Sequence, residues 1–233
     1  MLIFNFKFFY RQRKIKKYEL IMGFIGLTNY KKSSDRLNNK HHKKFYKDQT
    51  LVDIKIQQLL DAGANHVYVS TDDDKVKNSD KVTFINREKE YCDNIKQFSY
   101  VLKEIFDNCP VEDNQDIIYT FTCCPLFSRY DEMYKKFNEN KLNQIAVHPS
   151  SHYFLDIRKR PINFNFGLWH TYSQGLDPIY MFPYAGTVCK MKDLREVSYM
   201  IPREFEYFHL NQFEAIDIDT QEEFEMAQRL YTK

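Results

Sequence analysis

His66-Val67-Tyr68-Val69-Ser70, followed at once by Thr71-Asp72-Asp73-Asp74, is the stretch on which the reading of the fold turns. Five residues rich in β-branched and aromatic side chains predict a short buried strand, and the run of polar and acidic residues behind it ends that strand. Upstream, Leu51, Ile54, Leu59 and Leu60 recur at helical spacing, with Asp48 placed to cap the helix and Gly63 placed to end it. Before that helix, Gly23–Leu27 predicts a first strand. Downstream, Val82–Ile85 predicts a third strand, and Ile95, Phe98, Val101, Leu102, Ile105 and Phe106 a helix from Asp93 onward. Asp116–Phe121 is a fourth strand, Ser128 with Asp131 resembles a capping box for a helix through Phe137, and Asn143–Val147 is a fifth strand. Strands and helices that alternate through short connections define an α/β domain, a parallel sheet wrapped by helices.

The rhythm breaks between Pro149 and Pro183, an aromatic and proline-containing segment expected to leave the sheet. Thr187–Met191 and Phe213–Ile218 are expected to resume it, and Thr220 with Glu223 to cap a last helix bearing Phe224, Ala227 and Leu230. The chain has 233 residues, enough for one large domain, with 43% apolar and 16% aromatic content to fill a core. Its five cysteines (Cys92, Cys109, Cys123, Cys124, Cys189) form no C-x-x-C pair and no zinc spacing, which points to reduced thiols in the cytoplasm. No apolar run approaches a membrane span, so no stable membrane insertion is expected. Residues 1–21 carry Lys7, Arg11, Arg13, Lys14, Lys16 and Lys17 against Glu19. They read either as a basic amphipathic helix for a membrane surface or as an appended extension to a domain of residues 22–233.

Net charge is only +2, which gives no global attraction to nucleic acid, but the charge is unevenly placed. Lys31, Lys32, Arg36, Lys40, Lys43, Lys44 and Lys47 face Asp35 alone across a long polar loop. Ligands of open parallel sheets bind beyond the carboxyl ends of the strands, where this loop, Ser70–Asp74 and Asp217–Thr220 are expected to meet. Cations with paired carboxylates suit a polyphosphate and a divalent metal held by oxygen ligands. A solvated basic surface is the competing reading of the loop. With six glycines and no G-x-x-x-x-G-K-[ST], any phosphate would be held by Lys and Arg side chains. In Asp217-Ile218-Asp219, a strand would turn both carboxylates to one side; alternatively Asp219 is a turn residue before the helix.

Met22 to Tyr231 resembles the CMP-acylneuraminate and CMP-Kdo synthetases, as a divergent member of that cytidylyltransferase family. Val69-Ser70-Thr71-Asp72 reproduces the family's V-S-T-D, and Asp217-Ile218-Asp219-Thr220-Gln221-Glu222-Glu223-Phe224 nearly reproduces D-I-D-T-x-E-D-F. Weaker matches are Asn29–His41 to P-A-R-G-G-S-K-R-x-P-x-K-N, Arg87 after the third strand, Thr120–Leu126 to L-Q-P-T-S-P-L, Ser173–Tyr180 to R-Q-D-L-P-P-x-Y, and Ala185–Cys189 to N-G-A-I-Y.

The resemblance implies a Rossmann-like, mostly parallel sheet of the nucleotide-diphospho-sugar transferase type, with residues 149–183 protruding as a dimerisation segment. It implies transfer of CMP from CTP to an acidic sugar or similar small acid, with release of pyrophosphate, for surface glycan synthesis. Lys31, Arg36 and Lys40 would meet the phosphates; Ser70, Thr71, Asp72, Arg87 and His41 the nucleotide; Phe121, Cys123, Gln174 and Tyr180 the acceptor. Asp217 and Asp219 would hold magnesium. Departures are concentrated in the same places. Lys32-Ser33 replaces Gly-Gly, Asp35 replaces a Lys, and His41 an Asn. Phe121 replaces a Gln, Ser173 an Arg, and Ala185 an Asn. They point away from sialic acid itself as the acceptor. A fold retained without catalysis, as a nucleotide-binding or regulatory subunit, is the alternative. A nucleic-acid-binding role for the basic segments finds no recognition helix or stacking motif in its support.

Overall fold

The computed structural model describes residues 23–33, 36, 37 and 39–232. The expectations for residues 1–21 and for Asp35 fall outside them. Among the described residues, eight strands form one sheet: β1 (Ile25–Asn29), β2 (His66–Thr71), β3 (Val82–Asn86), β4 (Asp116–Phe121), β5 (Gln144–Ser150), β6 (Ile179–Met181), β7 (Thr187–Lys190) and β8 (Glu206–His209). They run in the order β3-β2-β1-β4-β7-β5-β6, with β8 paired to β5. The pairs β1–β2, β1–β4, β2–β3 and β5–β8 are parallel, whereas β7 runs antiparallel to β4 and β5, as β6 does to β5. The helices are α1 (Leu51–Asp61), α2 (Phe98–Asn108), α3 (Tyr130–Asn140), α4 (Met191–Val197) and α5 (Gln221–Tyr231).

Residue alternation along the strands sorts the core into two layers. On one face Ile118, Val67 and Val69 pack with Val52 and Leu59 of α1 and Tyr130, Met133 and Phe137 of α3. On the other, Leu27, Ile117 and Tyr119 pack with Leu102, Ile105 and Phe106 of α2 and Met191 and Leu194 of α4. A third cluster joins Leu37 and Phe45 of the long loop to Ile218 and to Phe224 and Ala227 of α5. The loop after β1 is therefore anchored by two buried apolar side chains rather than lying free on the surface.

Gly26 lets α1 lie close on the central strand. A Cβ built there would meet Leu59 Cδ1 at 3.1 Å and Val67 Cγ2 at 3.2 Å. Gly26→Val is accordingly expected to cost about 1–3 kcal/mol through overpacking, measured as a lower urea midpoint with an unchanged slope.

Several boundaries differ from those the sequence predicts. The cap of α1 is Thr50, not Asp48: Thr50 Oγ1 accepts from Asp53 N–H at 3.3 Å, and the Asp53 carboxylate accepts from Thr50 N–H at 2.8 Å. Gly63 does follow the helix in the left-handed region, at φ +99°. Helix α2 starts at Phe98, leaving Ile95 outside it and exposed. The box expected from Ser128 and Asp131 does not form, because Arg129 is the cap residue and gives no side-chain cap bond. Met191 opens α4 instead of closing a strand. Residues 213–218 are not a strand. Asn211 Oδ1 accepts from Phe213 N–H at 2.9 Å and Glu214 N–H at 3.0 Å, winding that stretch into a turn. Between Pro149 and Pro183 the chain does leave the core, although β6 lies inside this excursion. Leu168, Trp169 and Tyr172 stand almost fully exposed on it.

Candidate functional site

Because β1, β2, β3 and β4 are parallel and in register, Asn29, Ser70 and Phe121 stand side by side at one edge of the sheet, with Thr71 opposite Asn86. Two backbone bonds carry the ladder past the strands: Tyr30 N–H to Ser70 O at 3.1 Å and Arg87 N–H to Thr71 O at 2.8 Å. At this edge opens a cavity of about 500 Å³. Lys31, Arg36, Lys40, Arg87 and Lys96 line it, with Asp217 and Asp219 as its carboxylates and Tyr91, Phe98, Phe121 and Tyr184 as its aromatic wall. Five cations against two carboxylates in one concave site favour a polyanionic ligand.

The carboxylates are placed by backbone rather than by a strand. Ile218 is fully buried, and its N–H donates to Cys123 O at 2.9 Å, which docks the Asp217–Asp219 segment onto the end of β4. Thr220 then caps α5. Its Oγ1 accepts from Glu223 N–H at 3.2 Å, while the Glu223 carboxylate accepts from the N–H groups of Asp219 at 2.8 Å and Thr220 at 2.9 Å. Lys40, nearly buried, reaches from the loop to donate to Ile218 O at 2.6 Å and to lie 3.4 Å from Asp219 Oδ1. Arg36 pairs with the other oxygen of Asp219. Asp217 differs: its Oδ1 is shielded from solvent and has no hydrogen-bond partner among the described residues. Burial, and next the charge of Asp219, push its carboxyl above the usual range against the hydrogen bond from Cys123. A buried oxygen without a donor, beside a second carboxylate, is what a hard divalent cation would satisfy, so the residues present fit magnesium.

Arg87 is the other unsatisfied group. Its guanidinium donates to Tyr30 O at 2.7 Å and to the Cys92 sulfur at 3.0 Å, but Nη1 is buried with no partner. No carboxylate among the described residues pairs with it. A buried guanidinium without a counter-ion costs free energy unless a ligand supplies the acceptor. His41 beside it is neutral: burial, and next Lys40, lower its pKa to about 3. Its Nδ1 lies 3.1 Å from Thr122 Oγ1.

Of the sequence-predicted residues, Lys31, Arg36, Lys40, His41, Arg87, Phe121, Cys123, Asp217 and Asp219 line the one cavity. Ser70, Thr71 and Asp72 do not. Ser70 and Thr71 are buried in the sheet, and Asp72 accepts from Lys32 N–H at 2.6 Å, so the motif holds the loop in place instead of facing the cavity. Asp73 extends this role by accepting from the Tyr30 hydroxyl at 3.2 Å. Gln174 is exposed on a short 3-10 turn, and Tyr180 stacks on Tyr207 with ring centroids 4.4 Å apart. Neither belongs to this cavity. Asn29, Tyr30, Asn94, Lys96, Phe98 and Tyr184 do, and sequence reasoning missed them as site residues. Asn29 closes β1 and Tyr30 follows it, a position that marks strand-end ligands. Nothing local marks the others. Tyr184 sits in the left-handed region at φ +57°, a conformation uncommon for a bulky residue.

The parallel half-sheet, the loop folded over its carboxyl edge and the cation-lined cavity above an acidic pair define an α/β domain with a site suited to a polyanion. Residues 31–124 match the family model described as cytidylyltransferase. The sequence has no significant match among curated proteins. Solved structures share the whole fold. The 2-C-methyl-D-erythritol 4-phosphate cytidylyltransferase of Francisella tularensis is similar at TM-score 0.65 and 10% identity, over 89% of this chain and 99% of that one. The 4-diphosphocytidyl-2C-methyl-D-erythritol synthase of Anaerococcus prevotii gives TM-score 0.62 and 10% identity, over 92% and 99%. A CMP:2-keto-3-deoxy-manno-octonic acid synthetase complexed with CTP gives 0.58 and 12%, over 90% and 98%. The fold is thus a Rossmann-like, mostly parallel sheet flanked by helices, the one these cytidylyltransferase structures share.

Proposed function

We propose that the chain is a CTP-dependent cytidylyltransferase that transfers CMP to a hydroxyl of a small acidic acceptor, a sugar acid or a related compound, in the cytoplasm and for glycan synthesis. The observation that carries this reading is the juxtaposition of five cations, the uncompensated Arg87 among them, with the Asp217–Asp219 pair in one cavity. An acceptor oxygen attacks the α-phosphorus, the bond from that phosphorus to the bridging oxygen breaks, pyrophosphate leaves, and the hydroxyl proton passes to solvent or base. Arg36, Lys31 and Lys40 would bind the phosphates, Arg87 an anionic or carbonyl oxygen, and Asp217 with Asp219 would hold magnesium. When bound, that ion neutralises phosphate charge and aligns the transferring group. The site residues need only position and neutralise, which is most of what such transfers require.

A thermal-shift titration with CTP, ATP, GTP and UTP, with and without Mg²⁺, tests the reading, since a ligand of the folded state must raise the melting temperature. Selective stabilisation by CTP with Mg²⁺ is expected. The same titration on Arg87→Met should show a CTP affinity about tenfold or more weaker, the loss of one or two charge-assisted hydrogen bonds.

One observation favours a second reading, a nucleotide-binding subunit without catalysis. Asp219 is already neutralised by Arg36 and Lys40, so those cations must be drawn off it before phosphate and metal share the site. Binding of CTP without pyrophosphate release, across a panel of acidic acceptors, would establish that alternative. The exposed aromatic face of residues 149–183 supports a homodimer through Leu168, Trp169 and Tyr172. Sedimentation velocity should give a dimer for the full chain and a monomer for Leu168→Ser/Tyr172→Ser.

A further inference from the structure

We propose that Cys123, Cys124 and Asp217 form a binding site for a thiophilic divalent cation of the zinc class at the floor of the cavity. One ligand atom from each of the three residues lies within 4.8 Å of the other two. Zinc bonds of about 2.3 Å to sulfur and 2.0–2.2 Å to carboxylate oxygen put neighbouring ligands of a tetrahedral ion roughly 3.3–3.8 Å apart. That spacing is about an ångström shorter than the 4.8 Å limit, so coordination requires the three side chains to draw together.

The three groups are brought together by the fold. Cys123 lies in the turn that follows β4 with Cys124 next to it, and the Ile218 N–H bond to Cys123 O at 2.9 Å clamps the aspartate segment against them. Cys123 and Asp217 face the cavity, while Cys124 lies fully buried beneath them. The fourth coordination position therefore opens toward the cavity, the arrangement of three protein ligands and one exchangeable site. The shielded Oδ1 of Asp217 has no donor, so coordination would satisfy it.

Ordinary thiol packing is the competing account, and two contacts speak for it: the Cys124 sulfur donates to Pro183 O at 2.8 Å and the Cys123 thiol to the Asp217 carboxylate, bonds that coordination would forgo. Both are a weak donor's, and metal–thiolate bonds exceed them. Thiolates select a soft or borderline ion over magnesium, whereas the Asp217–Asp219 oxygens prefer the hard one. Since Asp217 belongs to both sets, a zinc-class ion held here would displace a hard cation from the same carboxylate. The cavity would then carry an inhibitory metal switch in its own floor.

Co²⁺ titrated into the reduced, metal-free full-length protein, without nucleotide, tests the site. One equivalent is expected to bring a thiolate-to-metal charge-transfer band together with the visible bands of a tetrahedral ion. Cys123→Ser and Cys124→Ser should each weaken Co²⁺ binding at least about tenfold, while Cys109→Ser and Cys189→Ser, at thiols buried elsewhere, should not change it. Should a serine variant lose its circular dichroism, Asp217→Asn, nearly the same in shape, gives the same readout with the same expected loss. No charge-transfer band, a band that survives both cysteine replacements, or unchanged affinity in Asp217→Asn would overturn the proposal. Because nucleotide is left out, that result would not touch the cytidylyl-transfer reading, and failure of CTP to bind would not touch this one.

Discussion

Asp219→Ala is expected to lower pyrophosphate release by about 10²–10³-fold, the scale seen when one preorganised charge group is taken from a transfer site. The same variant should bind metal-free CTP more tightly than the unaltered protein. Both effects come from one geometry. Asp219 accepts Arg36 and Lys40 in the ligand-free site, and its removal leaves those two cations without their carboxylate. A triphosphate then meets more positive charge on entry but lacks an oxygen that would hold the metal. A residue of merely structural importance would weaken both quantities together. Isothermal titration with CTP in EDTA, beside a pyrophosphate-release assay with Mg²⁺, separates the cases. Equal losses in both would remove the role assigned to Asp219.

The second large effect concerns stability. Lys55 on α1 is fully buried, and no carboxylate among the described residues touches it. Its ammonium donates to Cys124 O at 2.9 Å, Phe127 O at 3.3 Å and the Tyr130 hydroxyl at 2.6 Å. Burial lowers its pKa from the ordinary lysine value of 10.5 to about 8. In the unfolded chain Lys55 stays protonated to about pH 10.5, whereas in the folded protein it gives up its proton near pH 8. Between those values the unfolded state binds more protons, so this residue makes stability rise with pH. At about 1.4 kcal/mol per pK unit, the gain across the window is roughly 3 kcal/mol. Buried cysteines oppose it: burial pushes up the thiols of Cys109 and Cys189, and the contact with Cys124, then burial, pushes up that of Cys123, so above pH 9 the unfolded state loses protons that the folded state keeps. The comparison with Lys55→Met cancels that opposing contribution. Urea midpoints of the two proteins from pH 7 to 10.5 should show wild type gaining on the variant by about that amount. Parallel pH profiles would mean that Lys55 keeps its charge throughout.

Much of the fold can be read from periodicity. The apolar runs that became β1 to β5 and the spacing of Leu51, Ile54 and Leu59 are enforced by burial against a neighbouring layer, so the pattern and the structure share a cause. β8 escaped because Glu206-Tyr207-Phe208-His209 pairs on one side only, with β5, and buries just Phe208. Its single buried side chain leaves no alternation to find. The supposed strand before Asp219 failed for another reason, a side chain competing with the ladder: Asn211 bonds the backbone locally and Ile218 finds one partner on the Cys123 carbonyl instead of a strand. In the site, Asp217, Asp219, Arg36 and Lys40 were legible because charge in that pattern has few purposes. Phe98, Lys96 and Tyr184 were not, since they come from the start of α2 and the approach to β7 and meet only through the sheet order β1-β4-β7. The V-S-T-D segment shows the converse: a motif can mark the right place in the fold while its side chains, here Asp72 on Lys32 N–H, brace a loop.

Trp169, the chain's one tryptophan, stands 82% exposed on the excursion and belongs to neither core layer. In a protomer whose excursion is uncovered, its emission is expected to be that of an indole in water. Denaturation followed by tryptophan fluorescence will therefore register little of the loss of the core, and a nearly flat trace would say nothing against cooperative folding. The same indole makes a one-site optical label that came with the sequence. Whatever covers residues 149–183 should shift its emission to the blue, while events in the cavity leave its colour alone.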